Sequence, residues 1–406
     1  MERKQRIKVD ELDEQAVAFL YGQGNQQDAI ATIMNMSQAT VSRCVQHAIK
    51  KGWLDYKPRF IPESLPSERI QLIEARASPR KHLMDQLQKL AAKNKISYGP
   101  REIRVFPSAT MATDEAAWKL RFTRFGKDAA EYMRGKLQHA TICGISWGRT
   151  ISTIERGIRQ LGPSPSRAAM SHSIVFIPLC GVPLGKTAMQ LSASSLAAQF
   201  HEIMNDDTDS DYILHLAALP ALIPREIPRN VRKTVITALK GCSPTYDQIF
   251  SPRNEDEEQT KGYINKMDTM ITGVGGVGSV DDPQGYWRDS VLKAGGADAE
   301  LLDKVASGDI GGILFPRTDR VFEDDEKEQL RDLRRRWTGI KKWHMKKCAR
   351  RAVISGTTGV ILVAIGAHKA SSVLESVKRG LVNELVIDRA LADELTAKLA
   401  KELGTS

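Results

Sequence analysis

Along the first sixty residues, apolar positions fall at helical spacing in three short runs separated by polar breaks. Leu12, Ala16, Phe19 and Leu20 form one stripe and predict a helix from Asp10 to Tyr21. "YGQGNQ" ends it, and a second helix is predicted from Gln26 to Met34. Ser37 then stands where a hydroxyl can accept from an orphan amide of a first turn. A third helix follows over "QATVSRCVQHAIKKG" and stops at Gly52. Ala29, Ile30, Ile33, Met36, Val41, Val45 and Ile49 are the inward positions of this small three-helix core. "WLDYKPRFIP" reads as a short wing or exit strand, and Pro58, Pro62 and Pro66 mark a linker. Residues 67–93 return to helical spacing, as a connecting or oligomerising helix or as the first helix of the next domain.

From Ile96 the period changes. Short apolar runs ("EIRVFPS", "ATICGIS", "HSIVFIPLCG", "YILHLAAL", "KMDTMITGVGG", "VILVAIG", "NELVID") predict strands. Amphipathic stretches such as "TDEAAWKLRFTRFGKDAAEYMRGKL", "RTISTIERGIRQL" and "SSVLESVKRGL" lie between them. Strands that are apolar throughout are buried on both faces, which predicts an α/β fold with a parallel, doubly wound sheet. Ligands of such sheets bind beyond the carboxyl ends of the strands. "GPSPSR" and "SPRNEDEEQTKG" read as exposed loops. The organisation expected is a helix-turn-helix domain at 1–60, a linker or oligomerisation helix at 61–95, and an α/β effector domain at 96–406.

Composition narrows the class. With 41% hydrophobic and 27% charged residues, the 406-residue chain has ordinary globular usage. No run approaches the roughly 18 apolar residues of a membrane span. The N-terminus "MERKQRIKVDELDEQ" has no apolar h-region of a secretory signal, so a cytoplasmic protein without a membrane partner is expected, lying on the nucleoid when bound to DNA. Cys44, Cys143, Cys180, Cys242 and Cys348 lack CxxC or CxxH spacing and read as reduced, buried thiols, with no metal site. The eight histidines form no HxH, HExxH or Ser-His-Asp set, and Ser194 and Ser195 read as helix packing, so neither catalysis nor a cofactor is expected. The net charge of +10 is weak evidence for nucleic acid because of where it lies. Residues 331–351 hold ten basic residues against one acidic, directly after the acidic run "EDDEKE". That pattern predicts two oppositely charged helix faces, solvated or mutually paired.

DNA binding is therefore argued from the motif. Two short helices joined by a tight turn, the second capped by Ser37, make a helix-turn-helix whose second helix enters the major groove. Gln26, Ser37, Gln38, Thr40, Ser42, Arg43 and Gln46 are the expected DNA-contacting residues. Gln and Arg can contact adenine and guanine edges bidentately, while hydroxyls and amides hold phosphates.

Two glycine loops carry the remaining chemistry. Gly273, Gly275 and Gly278 of "ITGVGGVGS" have GxGxxG spacing, but "VDDPQGYWRD" follows where a dinucleotide fold needs an apolar helix. "ICGISWGRTISTI" reads as strand, small-residue turn and helix start, with Ser146, Gly148 and Thr150 placing amides and hydroxyls where an anion or sugar would sit.

With "GISWGRT", "ITGVGG", "SGDIGGILF" and "VAIGAHKASSVLESVKRGLVNELVIDRALADEL" in this order behind the helix-turn-helix, the chain resembles the SorC family of bacterial sugar-responsive transcriptional regulators over nearly its full length. The resemblance implies an effector domain related to phosphosugar isomerases, without catalysis, binding a sugar or sugar phosphate. By it, Ser146, Gly148, Arg149 and Thr150 line the anion end of the pocket, and Gly181 and Gly273 approach the ligand through backbone. Asp309 would accept sugar hydroxyls and Lys369 would place a charge near the phosphate. Arg149 stands where family members often carry a smaller residue, and the charged stretch 323–351 is unusual for the family. The expected function is regulation of a carbohydrate operon by a homodimer or homotetramer bound to double-stranded operator DNA. The alternative is a sugar-phosphate isomerase or deaminase-like enzyme with Asp309 as base.

Overall fold

The computed structural model describes residues 9–22, 25–54, 79–107, 115–162, 173–183, 190–205, 214–216, 219–243, 245–250, 262–276, 304–318 and 320–404. The chain divides into two compact units, Met1–Leu83 and Met84–Ser406. The expected wing beyond Leu54, the linker up to residue 78, Gly278 with "VDDPQGYWRD", and most of the loops "GPSPSR" and "SPRNEDEEQTKG" lie outside the described residues.

The first unit contains helices α1 (Glu11–Gly22), α2 (Gln27–Met34) and α3 (Gln38–Lys50). Ala16, Val17, Leu20, Ile30, Val41, Cys44, Val45 and Ala48 close its core, with Ile33 and Met36 half-buried against it. The expected stripe is off by part of a turn, because Ala29 and Ile49 are exposed and Cys44 and Ala48 are buried in their place. Leu12 is likewise exposed. Helix α4 (Pro79–Lys93) follows and runs across the division between the units.

The second unit continues with β1 (Glu102–Phe106), α5 (Glu115–Leu137), β2 (Ile142–Ile145), α6 (Arg149–Gln160), β3 (Val175–Pro178), α7 (Ala193–Met204) and α8 (Arg229–Gly241). Two short helices, Tyr246–Phe250 and Tyr263–Lys266, lead into β4 (Thr269–Thr272). A separate antiparallel sheet comprises β5 (Val274–Gly275), β6 (Ala306–Ile310) and β7 (Ile313–Pro316). Helices α9 (Asp324–Arg336) and α10 (Lys342–Ser355) precede β8 (Gly359–Ala364), α11 (Ala370–Lys378), β9 (Glu384–Asp388) and α12 (Arg389–Leu403).

The main sheet is parallel throughout, in the order β1-β9-β8-β4-β2-β3. One face packs on α5, α6 and α7 through Cys143, Ile145, Ile271, Ile361 and Val363, while α10 and α12 cover the other. From β2 the chain passes outward to β3, whereas from β4 it passes the opposite way to β8 and β9. The two directions part between the adjacent strands β2 and β4, which makes their carboxyl ends the topological switch point of the sheet.

Two expectations are corrected, and a third holds in part. Leu214–Leu216 of "YILHLAAL" form no strand, since the Leu216 amide bonds to Ser194 Oγ at 3.0 Å and the His215 amide to Thr245 Oγ1 at 3.1 Å. Their apolar side chains reflect burial without a ladder. The five cysteines are free thiols as expected, but Cys242 is exposed. The acidic and basic runs are mutually paired in part, as one of their two expected arrangements has it. Glu328 pairs with Arg331, Arg335 and Arg229, Asp332 with Arg336 and Arg232, and Glu326 with Arg320, so these acids of α9 are answered within their own helix, by α8 and by the segment before α9.

Candidate functional site

In the first unit, the turn between α2 and α3 occupies three residues. Asn35 adopts a left-handed conformation (φ 53°), and the Met36 amide returns to Ala31 O at 2.9 Å. Ser37 caps α3, its Oγ accepting from the Thr40 amide at 3.2 Å and lying 2.8 Å from Thr40 Oγ1. Beyond the cap, Gln38, Arg43 and Gln46 are exposed on one side of α3, with Thr40 and Ser42 half-buried beside them. Gln38 Nε2 reaches Asp28 Oδ1 at 3.4 Å, and Arg43 lies back along the helix onto Ala39 O at 3.3 Å and Thr40 Oγ1 at 3.4 Å. Gln26 is exposed at the N-cap position of α2. All seven residues expected to meet DNA thus lie at the start of α2 or on the capped end and outer face of α3. The opposite end of α3 is tied to α1, with His47 on Glu14 at 3.0 Å and Lys51 on Glu11 and Glu14 at 3.2 Å. Burial works upward on Glu14, but the bonds from His47 and Lys51 outweigh it and hold the carboxyl below its ordinary value.

In the second unit, the residues expected to meet an effector gather at the switch point. Ser146 follows β2, anchored by its amide to Ile271 O at 3.0 Å. Its hydroxyl is buried and has no hydrogen-bond partner among the described residues. Gly148 then starts α6 with φ 114°, a conformation that side chains rarely adopt, and turns the first amides of the helix toward the carboxyl edge. Arg149 and Thr150 are half-buried in that first turn, the Arg149 guanidinium standing 5.4 Å from the centroid of the Phe122 ring. Gly273 leaves β4 and accepts the Gly311 amide at 3.1 Å, which draws the β6–β7 turn over the edge. A Cβ on Gly311 would stand 2.9 Å from Thr272 Oγ1 and 3.5 Å from Ser146 Oγ, so the turn and the β2 loop are neighbours.

Asp309 lies in β6, two residues before that turn, and is almost fully buried. Its Oδ2 accepts the Gly312 amide at 2.9 Å, while Oδ1 lies against Gly275 and completes no hydrogen bond among the described residues. Burial pushes its pKa up to about 6, against the opposing pull of the Gly312 amide, the Lys369 charge and the Gly275 amide. Lys369 ends the short 3-10 turn Ala367–Lys369 beyond β8. That loop is held by Asp388, whose Oδ1 accepts the Gly366 amide at 3.0 Å and whose Oδ2 takes Arg121 Nε at 2.8 Å. Gly181 lies apart from this group, beyond β3, its Cα against the Leu219 and Pro220 backbone. Residues 184–186 of "LCGVPLGK" are outside the described residues. Thr272, Gly311 and Gly312 belong to the site but were not singled out in the sequence. The signal for Thr272 was its place as the last residue of a strand entering a glycine turn.

The geometry can accept hydrogen bonds from a ligand at Asp309, exchange them at Ser146, and balance an anion with Lys369 and the α6 amides. Among the described residues, no cluster of His, Cys, Asp and Glu could hold a metal ion, and no helix is long and apolar enough to cross a membrane.

No family model matches the chain, and no curated protein matches it. Among solved structures, it is similar to the full-length sorbitol operon regulator SorC of Klebsiella pneumoniae, at 17% identity over 96% of this chain and 99% of that one, with a TM-score of 0.49. A transcriptional regulator from Streptococcus pneumoniae TIGR4 is similar at 16% identity over 80% of this chain and 98% of its own, with a TM-score of 0.49. A DeoR family transcriptional regulator from Listeria monocytogenes is similar at 18% identity over 77% and 99%, with a TM-score of 0.47.

Proposed function

We propose that this chain is a DNA-binding transcriptional regulator controlled by a sugar or sugar-phosphate effector bound at the switch point of its parallel sheet. The observation that carries the reading is the union, in one chain, of a reading helix and an uncommitted polar site. Gln38, Arg43 and Gln46 face outward from a capped α3, and Ser146 Oγ and Asp309 Oδ1 are buried at the carboxyl edge without partners among the described residues. Buried polar atoms are normally satisfied, so a site that keeps two unsatisfied is built for hydrogen bonds from elsewhere. A lone helix-turn-helix buries too little for tight specific binding, which favours a homodimer or homotetramer reading repeated half-sites. Effector binding then acts by preferring one arrangement of the oligomer over another. The protein works in the bacterial cytoplasm.

The test is a mobility shift on DNA upstream of the protein's own operon, with and without a panel of sugars and sugar phosphates. One compound is expected to change the affinity. Arg43→Ala should weaken operator binding by about 1–3 kcal/mol while leaving the circular-dichroism spectrum unchanged. Absence of specific binding at moderate salt would overturn the reading. The raised pKa of Asp309 favours one second reading, a sugar-phosphate isomerase or deaminase with Asp309 as general base. Turnover of a sugar phosphate, lost in Asp309→Asn, would establish it.

A further inference from the structure

Beyond the β6–β7 turn, on the side of α9 and α10, the second unit has a partly open cavity of about 370 Å³. This lies at the small end of the range of ligand pockets, about 300–1,000 Å³. Its floor is apolar, with Leu222, Phe315, Trp337 and Ile340 all buried. Its rim is cationic, formed by Arg334, Lys341, Lys342 and Arg379. Gly312 lines the cavity too, so the β6–β7 turn is a wall shared with the Asp309 site.

The rim is arranged unlike the rest of this charged segment. Elsewhere on α9, Arg331 and Arg335 pair with Glu328, and Arg336 with Asp332. At the cavity, among the described residues, only Arg379 has a carboxylate, Glu375, and its guanidinium also stands 4.9 Å from the centroid of the Phe315 ring. Lys341 Nζ donates to Trp337 O at 2.7 Å, and among the described residues neither Arg334 nor Lys342 has a carboxylate partner. Burial lowers the pKa of Lys342, and Lys346, Arg379 and Arg334 lower it further by repulsion. Lys341 is lowered to about 8, by burial first and then by Lys240. Converging like charges over an apolar floor cost stability, and an anion with an apolar body relieves that cost.

We propose that this cavity binds a small aryl acid, its ring against Trp337 and Phe315 and its acidic group between Arg334, Lys341 and Lys342. The site is distinct from that of Asp309 and does not depend on the regulator reading. A probe with this chemistry is 1-naphthyl phosphate, titrated calorimetrically into the full chain with neutral 1-naphthol as control. One phosphate per chain is expected to bind. The affinity should fall roughly tenfold in the Arg334→Gln/Lys342→Gln double variant, whose exposed positions leave the fold intact. Ser146→Ala should leave it unchanged. Raising the pH from about 7 to about 9 should weaken it as Lys341 loses its proton. The proposal is overturned by no binding, by equal affinity in the double variant, or by 1-naphthol binding as well as the phosphate. It is also overturned if the probe fails to bind while the double variant changes the sedimentation of the protein, which would make this face a contact between copies.

Discussion

Two buried aspartates stand at the carboxyl edge of the second unit, and the fold treats them oppositely. Asp388 ends β9 with both oxygens engaged, Oδ2 by the Arg121 guanidinium and Oδ1 by the Gly366 and Leu391 amides at 3.0 and 3.2 Å. Asp309 takes the Gly312 amide at Oδ2 and, although the Gly275 amide stands near enough to pull on the carboxyl, leaves Oδ1 without a completed hydrogen bond among the described residues. A buried carboxylate that is paired and capped joins elements together, here β9, α12 and the loop that carries Lys369. One that is left incomplete opposes folding and is retained for something the fold alone does not need. The committed aspartate therefore positions the cation that faces the uncommitted one.

The sharpest test of this contrast is Arg121→Ala. It would leave Asp388 buried without its cation, and breaking such a pair costs about 3–5 kcal/mol. Chemical denaturation should show that loss, and a change below about 1 kcal/mol would deny Asp388 its structural part. Asp309→Asn should act in the other direction. Because its native pKa is raised, the native protein holds this proton more tightly than the unfolded chain does. Stability therefore falls as pH rises from about 4 to about 6 and is level above. A rise from 3.8 to about 6 corresponds to up to about 3 kcal/mol, so the asparagine variant should be more stable by that order at neutral pH. Its melting temperature should also lose the wild-type slope over that pH window. A destabilised Asp309→Asn would mean that the carboxylate is structural after all.

How much of this was legible in the sequence differs between the same two regions. The parallel sheet could be read because Gly359–Ala364 and the Leu385–Ile387 centre of β9 are apolar without alternation, which a strand covered on both faces explains. The helix-turn-helix could be read from the Ser37 cap and the short turn, but not the rotation of α3 that buries Cys44 and Ala48 and exposes Ile49. That angle depends on how α1 packs. The β6–β7 hairpin was hidden because "SGDIGG" carries glycines at φ 148°, 54° and 88°, which resemble a loop in sequence. Asp309 was legible as a residue. Its burial, set by Gly275 and by a turn drawn over β4, joins positions too distant for a local pattern to show. The charged segment was legible only in part for a related reason. Its acids pair along α9 and with Arg229 and Arg232 of α8, and the latter contacts have no spacing to announce them.

The smallest expected effects compare two serines, one in each unit. Ser37 spends its hydroxyl on the Thr40 amide, so Ser37→Ala should cost about 1 kcal/mol through loss of a helix cap. Ser146 is more deeply buried, yet its hydroxyl satisfies nothing among the described residues. Removing it gives up no hydrogen bond and relieves a desolvated group, at the expense of a void no larger than an oxygen. Ser146→Ala should therefore shift stability by less than about 1 kcal/mol in either direction. Effector response, read as the change in operator affinity on adding ligand, should be lost in the same variant. Measured side by side by denaturation, the exposed serine should matter more to folding than the buried one. If Ser146→Ala is the more damaging, the hydroxyl is bound within the native fold and the site loses one of the two groups that mark it as made for a ligand.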